Sequence, residues 1–477
     1  MNTPIRRVAF VAMIMFALLL ANGTYLTIFR QSSLNDDPAN RRVRDAEFAQ
    51  NRGSILAGTT EIARTEASKD RFRYQRVYPD GKTYAAVTGF YSYDHGRTGL
   101  ESTYNTELAG TDDALFVRRM VDLVTGRTPQ GATVQTTIDP AVQEAADKAL
   151  GDRKGAVVAL DPGTGAVLAV VTSPTYDPNT VASHDVESAQ SAYSKLLKDT
   201  DSPLSNRAVR EIYPPGSTFK LVTAAAALED GKTADTKVKS PARLKLPNTT
   251  TYLPNDSDCG GTEITLTQAL AVSCNTAFAN LGLGLGADKL RAEATKFGFD
   301  QRHLDDLAGA ASQFPESLDP AQLALSSIGQ FDVAASPLQM AMVTAGIAND
   351  GVVMDPYVVS SVKAPDLKAI TTHQPKELSR ALSADHAKVL QDMMVNVVQN
   401  GTGGNGAISG VRVGGKTGTA QSDPSRKPFA WFTSFAQSGK RQVAVAVVVE
   451  DADIPRQDIA GGRVAAPIAR AVMQAAL

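Results

Sequence analysis

Gly155-Ala156-Val157-Val158-Ala159-Leu160-Asp161, then Pro162-Gly163-Thr164-Gly165, then Ala166-Val167-Leu168-Ala169-Val170-Val171 is the stretch whose reading decides the fold. Two apolar runs flank a Gly/Pro turn, which is the pattern of an antiparallel hairpin. Upstream, Asp139 and Pro140 occupy cap and first-turn positions and predict a helix over 141–150. Near the C-terminus, 429–436 and 442–449 predict a second hairpin about Ser438-Gly439, followed by a final helix from Ala465. The sequence between the hairpins is helix-rich. Hairpins at both ends of a helical middle predict an α+β fold, an antiparallel sheet packed by helices, and not βαβ winding. The sequence carries no internal repeat and no low-complexity run.

Composition narrows the classes of function. The 477 residues are 43% apolar and 21% charged, values of a globular chain, which excludes disorder and collagen-like structure. The length predicts two or three domains. Lys and Arg total 48 against 50 Asp and Glu, and aromatics are 6%; neither a basic excess nor a stacking platform for nucleic acid is present. Two cysteines exclude a disulfide-built scaffold. After Arg6-Arg7 an apolar stretch over 8–29 is long enough to cross a bilayer. A cleaved signal peptide is the alternative, but no small-x-small site follows and no lipobox cysteine is present, so a retained anchor is expected. Arg6 and Arg7 favour a cytoplasmic N-terminus over 1–7, against Arg30, Arg41, Arg42 and Arg44 on the other side. Residues 30–137 read as a small non-catalytic module. In it Arg52-Gly53-Ser54-Ile55, Val87-Thr88-Gly89-Phe90 and Thr98-Gly99-Leu100-Glu101 look like strand and turn punctuation.

The chemistry begins at Tyr213-Pro214-Pro215-Gly216-Ser217-Thr218-Phe219-Lys220. The prolines and glycine end one segment, and alanine-rich sequence predicts a helix starting at Ser217. Positions i and i+3 share a helix face, so Ser217 Oγ and Lys220 Nζ can approach each other. A serine becomes a nucleophile when a base lies in reach, and a lysine is a base only when burial or a second cation lowers its pKa. A capping serine one turn before a solvated lysine is the bland alternative. Two further segments change its weight: Ser273-Cys274-Asn275 in a break between helical stretches, and Lys416-Thr417-Gly418-Thr419 on a predicted strand before the terminal hairpin.

Those three motifs, in that order, resemble the penicillin-binding proteins over residues 138–477. Arg52-Gly53-Ser54-Ile55, Gly99-Leu100-Glu101, the run 173–179 and Asn206-Arg207 resemble class B members, and the short module is most similar to the actinobacterial penicillin-binding protein A group. One departure is Ala57-Gly58-Thr59-Thr60, where the family has an acidic-Arg-Asn-Gly element. The resemblance implies peptidoglycan cross-linking by a serine D,D-transpeptidase without a glycosyltransferase domain or any cofactor. It also implies roles. Ser217 attacks the D-Ala-D-Ala carbonyl, Lys220 takes its proton, and Ser273 passes a proton to the departing D-alanine with help from Lys416. Asn275 binds the substrate backbone and positions Lys220; Lys416, Thr417, Gly418 and Thr419 hold the terminal carboxylate; the amides of Ser217 and Thr419 form the oxyanion hole. Implied partners are stem peptides, β-lactams as inhibitors, and a SEDS-type (RodA/FtsW-like) membrane polymerase, with the catalytic domain outside a membrane crossed once.

Other readings compete. Residues 410–417 spell G-x-x-x-x-G-K-T, yet no helix signal follows, which argues against nucleotide binding. Residues 401–406 spell G-x-G-x-x-G after a helix, and a loop is expected there. His95, His184, His303, His373 and His386 lack metal-ligand spacing, so no metal site is expected. A β-lactamase would need an E-x-x-L-N element, and Glu293 and Glu316 stand in the wrong context. A D,D-carboxypeptidase, using water where a transpeptidase uses an amine, stays open. A β-lactam sensor would carry several spans and a cytoplasmic signalling part. Finally, with the domain outside the membrane, Cys259 and Cys274 have one possible pairing, and a disulfide is expected along a helix over 263–270; two buried free thiols are the alternative.

Overall fold

The computed structural model describes residues 3–30, 33–34, 41–126, 128–421, 426–452 and 454–477. Ser422, Asp423 and Pro424, part of the sequence read as non-helical after Lys416, lie outside them.

The hairpin at 155–171 forms as β1 (Gly155–Leu160) and β2 (Val167–Ser173). The central helices follow: α1 (Lys220–Glu229), α2 (Asn275–Leu285) and α3 (Pro337–Ala348). Three long strands come next, β3 (Arg412–Ala420), β4 (Phe429–Ser438) and β5 (Arg441–Val449), then the terminal helix α4 (Ala466–Ala476). The sheet runs β3-β4-β5-β1-β2 with every neighbouring pair antiparallel. Chain ends therefore meet in the middle of one sheet, where Val445 pairs with Ala159.

The reason β1, and β5 from Val443 onward, are apolar is that helices cover both faces. Ala156, Val158, Leu160, Ala446 and Val448 point to the side of α3, sharing a core with Met340 and Val343. Val157, Ala159, Val445 and Val447 point the other way, onto Ile468, Val472 and Met473 of α4 and Val142 of the helix Pro140–Leu150. A half-exposed strand would alternate in polarity; a strand covered twice does not. All twelve residues of α3 are buried, which explains its mostly apolar sequence, and its two polar side chains are bonded, Gln339 Nε2 to Phe297 O and Thr344 Oγ1 to Met340 O. The predicted cap is present: Asp139 accepts from the amides of Ala141 and Val142.

Two local expectations are corrected. Ser217 does not begin an α-helix: Gly216–Phe219 is a 3₁₀ turn, and α1 begins at Lys220. The segment 263–270 is not all helix, because Glu263–Thr265 pairs as a strand with Lys237–Lys239 before the helix Leu266–Ala271.

The N-terminal part supplies strands Ile55–Ala57, Thr60–Ala67, Tyr74–Val77 and Thr133–Thr136. They do not form a separate sheet. Thr133–Thr136 runs parallel to Ile55–Ala57 on one side and antiparallel to Val359–Lys363 on the other, so a six-stranded sheet crosses from the module into the catalytic part. Of the segments read as strand and turn punctuation, Arg52–Ile55 leads into the strand Ile55–Ala57, whereas Val87 and Thr88 close the helix Gly81–Thr88 and Gly99 opens Gly99–Thr103. Their outcome is a buried ion cluster. Glu101 accepts from Arg52 Nε at 2.6 Å and Arg76 Nε at 2.6 Å, Tyr78 OH lies 3.2 Å away, and the Arg52 guanidinium stacks on Tyr91. Ahead of the module, Thr3–Ile28 is a 26-residue helix with no buried residue. At about 1.5 Å per residue it is long enough, and apolar enough, to cross a membrane.

Candidate active site

Ser217 is presented by its 3₁₀ turn against the edge strand β3. The turn is pinned from several sides. Gly216 N donates to Gly329 O at 2.9 Å, Thr218 Oγ1 to Pro215 O at 2.7 Å and Trp431 Nε1 to Pro214 O at 3.0 Å. Behind it, Tyr213 OH donates to Glu450 Oε1, which also pairs with Arg207 Nε at 3.3 Å. Gly216 has φ +53°, and a Cβ there would stand 2.9 Å from that of Ala420, so glycine is required on both counts.

Lys220 opens α1 and is fully buried. Its Nζ donates to Ser273 O at 2.7 Å, Asn275 Oδ1 at 2.7 Å and Ser273 Oγ at 3.3 Å. Ser273 lies between two helices with φ +60°, a left-handed backbone that costs a non-glycine residue about 1–3 kcal/mol. That conformation goes with a carbonyl and a hydroxyl that both face one amine. From β3, Lys416, also fully buried, donates from Nζ to the same Ser273 Oγ at 2.8 Å and to Thr417 O at 2.8 Å. Thr417 Oγ1 is bonded to Thr402 Oγ1 at 2.7 Å.

Two ammonium groups sharing one hydroxyl in a dry site cannot both keep their charge cheaply. Burial lowers the Lys220 pKa well below the usual lysine range, and the Lys416 charge lowers it further, with Asp256 opposing. Burial likewise lowers Lys416, to about 7, again against Asp256. The charged form of Lys220 is thus disfavoured by both its burial and its neighbour, and Lys416 is the one that titrates near neutrality.

Ser217, Asn275 and Thr419 line a cavity of about 310 Å³ with an apolar wall that includes Leu253, Ile328 and Phe331. The structure brings together all three motifs. Lys220, Ser273, Asn275 and Lys416 form one bonded cluster, and Ser217 opens beside it with 8% of its surface exposed. Among the described residues, no hydrogen bond joins Ser217 Oγ to Lys220 Nζ. Cys259 and Cys274 are bonded to each other, with Cα atoms 5.5 Å apart, tying the loop before Cys259 to the residue between Ser273 and Asn275. Asp256 on that loop also lines the cavity, and Asn275 Nδ2 donates to its Oδ2 at 3.4 Å. Sequence reasoning missed Asp256. Its only signal was a place in the turn-rich loop that leads into Cys259. Among the described residues no group of His, Cys, Asp and Glu could hold a metal ion.

Comparison with known proteins agrees with this geometry. Residues 155–474 match the family model described as the penicillin-binding protein transpeptidase domain, and residues 52–134 match the penicillin-binding protein A dimerisation domain. The chain is 47% identical to peptidoglycan D,D-transpeptidase PbpA of Mycolicibacterium smegmatis over 100% of this chain and 99% of that one. It resembles the ceftriaxone acyl-enzyme of penicillin-binding protein A from M. tuberculosis with a TM-score of 0.88 and 44% identity, covering 91% of this chain and 100% of that one. The penicillin G acyl-enzyme of the same protein gives 0.86 and 44%, with 90% and 99% covered.

Proposed function

This chain belongs to the class B penicillin-binding proteins and is a peptidoglycan D,D-transpeptidase; from that premise we propose that Ser217 is its nucleophile and Lys220 the base that activates it. The observation that carries the assignment is the convergence of two buried lysines on Ser273 Oγ beside the exposed face of Ser217. Neutral Lys220 takes the Ser217 proton as Oγ attacks the carbonyl carbon of the penultimate D-alanine. The oxyanion forms against the amides of Ser217 and Thr419, donors worth about 10²–10³ in rate each. The edge position of β3 supports this, because strand partners occupy one side of it only. Lys220 then returns the proton through Ser273 Oγ to the leaving nitrogen, the C–N bond breaks, and an ester on Ser217 remains. Lys416, with Thr417, Gly418 and Thr419, holds the substrate carboxylate, while Asn275 fixes Lys220 and receives the peptide backbone. An amine of a second stem peptide resolves the ester and forms the cross-link. β-Lactams, presenting the same carbonyl and carboxylate, acylate Ser217 and stay.

The apolar helix Thr3–Ile28 supports a single-pass anchor with the catalytic part, 138–477, outside the membrane, where the disulfide is stable. Family resemblance supports a SEDS-type membrane polymerase as partner, testable by co-purification. The deciding experiment is intact mass after incubation with benzylpenicillin. One stable adduct is expected, absent in Ser217→Ala; rapid release of hydrolysed drug would overturn the reading in favour of a hydrolase.

A further inference from the structure

The cavity over Ser217 has a charge pattern that the donor half of the reaction does not use. The donor peptide ends in a carboxylate and needs cations, which Lys416 supplies. Among the described residues that line the cavity itself, Asp256 is the one that is charged, and it is negative. No salt bridge joins it to another described residue. Its described polar partner is the amide of Asn275 at 3.4 Å, and its side chain is exposed to the cavity mouth. It lines the same cavity as Ser217, Asn275 and Thr419, and its charge opposes the fall in both lysine pKa values. The loop that carries it is fixed at both flanks. Thr276 N donates to Asn255 Oδ1 at 2.9 Å, Asn255 Nδ2 donates to Pro241 O at 3.1 Å, and Cys259 is bonded to Cys274.

Resting on the transpeptidase reading, we propose that Asp256 recognises a primary ammonium group of the peptide substrate in the Ser217 cavity. Two sources share that chemistry: the acceptor amine that resolves the acyl-enzyme, and a side-chain amine on the donor stem. The acceptor has the stronger electrostatic need. It approaches a centre carrying the Lys416 charge, which repels an ammonium, and a carboxylate at the mouth offsets that repulsion. Held there, the ammonium gives one proton to neutral Lys220 and its nitrogen attacks the ester carbon. The C–O bond to Ser217 breaks as Lys220 returns that proton to Oγ. The second proton of the nitrogen leaves to solvent, and an amide remains.

The test is the fate of one acyl-enzyme. The full-length protein is acylated by an N-acyl-D-Ala-D-thiolactate donor that lacks any amine. The ester is then partitioned between water and either Nα-acetyl-lysinamide, a cationic acceptor, or hydroxylamine, neutral at pH 7.5. In Asp256→Asn the aminolysis-to-hydrolysis ratio for the cationic acceptor is expected to fall about five- to tenfold, as for a partly solvated charge pair. The hydroxylamine ratio stays as in the wild type, and Asp256→Glu regains part of the loss. A structural defect would lower both ratios together. A second arm compares donors with and without a side-chain amine: a loss of acylation confined to the amine-bearing donor assigns Asp256 to the donor stem instead. Equal partition for both acceptors, with equal use of both donors, overturns the proposal. Failure of the wild-type protein to form any acyl-enzyme would instead overturn the transpeptidase reading on which the proposal rests.

Discussion

Two of the buried charge clusters among the described residues are built from nearly the same parts and reach opposite ends. In the N-terminal module, Arg52 and Arg76 enclose Glu101, and all three are 4% exposed or less. In the catalytic part, Lys220 and Lys416 enclose the hydroxyl of Ser273, and both lysines are fully buried. Guanidinium cannot lose its proton in a protein, so the first cluster needs a carboxylate at its centre. Burial raises the Glu101 pKa, yet the Arg76 and Arg52 charges and their hydrogen bonds bring the net value below the usual carboxylate range. Ammonium can lose its proton, and with only a hydroxyl at the centre burial and the second cation both favour that loss. One cluster is a clamp made of permanent charge; the other is a base made by withholding a counter-ion.

Removing the amine from the second cluster tests this most severely. Lys220→Ala is expected to lower penicillin acylation by about 10³–10⁴, within the range of a general base, while the protein melts as a folded species. A loss below tenfold would make Lys220 an ordinary buried lysine.

Emptying the centre of the first cluster comes next. Glu101→Gln leaves two guanidinium groups buried without a counter-charge and is expected to cost about 3–5 kcal/mol, read as a fall in the unfolding midpoint. Because the folded Glu101 pKa is depressed, its contribution is present above about 4.5 and lost as pH falls through the folded value. The lysines act in a different window. Their folded pKa values lie below the unfolded one, so the unfolded chain binds more protons and stability rises with pH from about 7 toward the ordinary lysine value.

The catalytic cluster has no internal ion pair and is braced covalently instead. Reduction of Cys259–Cys274 is expected to lower stability by about 3 kcal/mol in the chain-entropy account. It is also expected to slow acylation as Ser273 and Asn275 loosen. An unchanged acylation rate after verified reduction would confine the bridge to stability.

The smallest effect is a displacement of the pH profile, read beside the slower acylation that loss of the Lys416 carboxylate contact also brings. In Lys416→Ala the charge that depresses Lys220 is gone, so Lys220 holds its proton to higher pH and the acid limb of the acylation profile moves upward. Asp256→Asn should move it downward, because that carboxylate acts in the other direction. Shifts of the same sign would break the electrostatic account of both residues.

The two clusters were also unequally legible in the sequence. Ser217 to Lys220, Ser273 to Asn275 and Lys416 to Thr419 are each short motifs whose parts are neighbours, so their chemistry can be read locally. Arg52 and Glu101 are 49 positions apart, and nothing in periodicity or composition pairs them. The hairpin at 155–171 was readable because its turn and both its runs are contiguous. The pairing of Thr133–Thr136 with Val359–Lys363 was not, because it joins segments more than 200 positions apart with no turn between them. The start of α1 was misplaced by three residues because propensity favours a helix from Ser217, whereas the hydrogen bond from Gly216 N to Gly329 O belongs to packing.

That long-range pairing has a mechanical consequence. Thr133–Thr136 is hydrogen-bonded to the module on one edge and to the catalytic part on the other, with Val362 opposite Val134 and Lys363 opposite Thr133. A tether of flexible residues would respond to a pull on the N-terminal helix by stretching, with the enzyme free to swivel. A shared ladder loaded along its strands must shear several bonds at once before it yields. Force that arrives at the module is therefore passed to the catalytic body through that ladder, and the placement of the body that carries Ser217 relative to the module is set by β-sheet geometry.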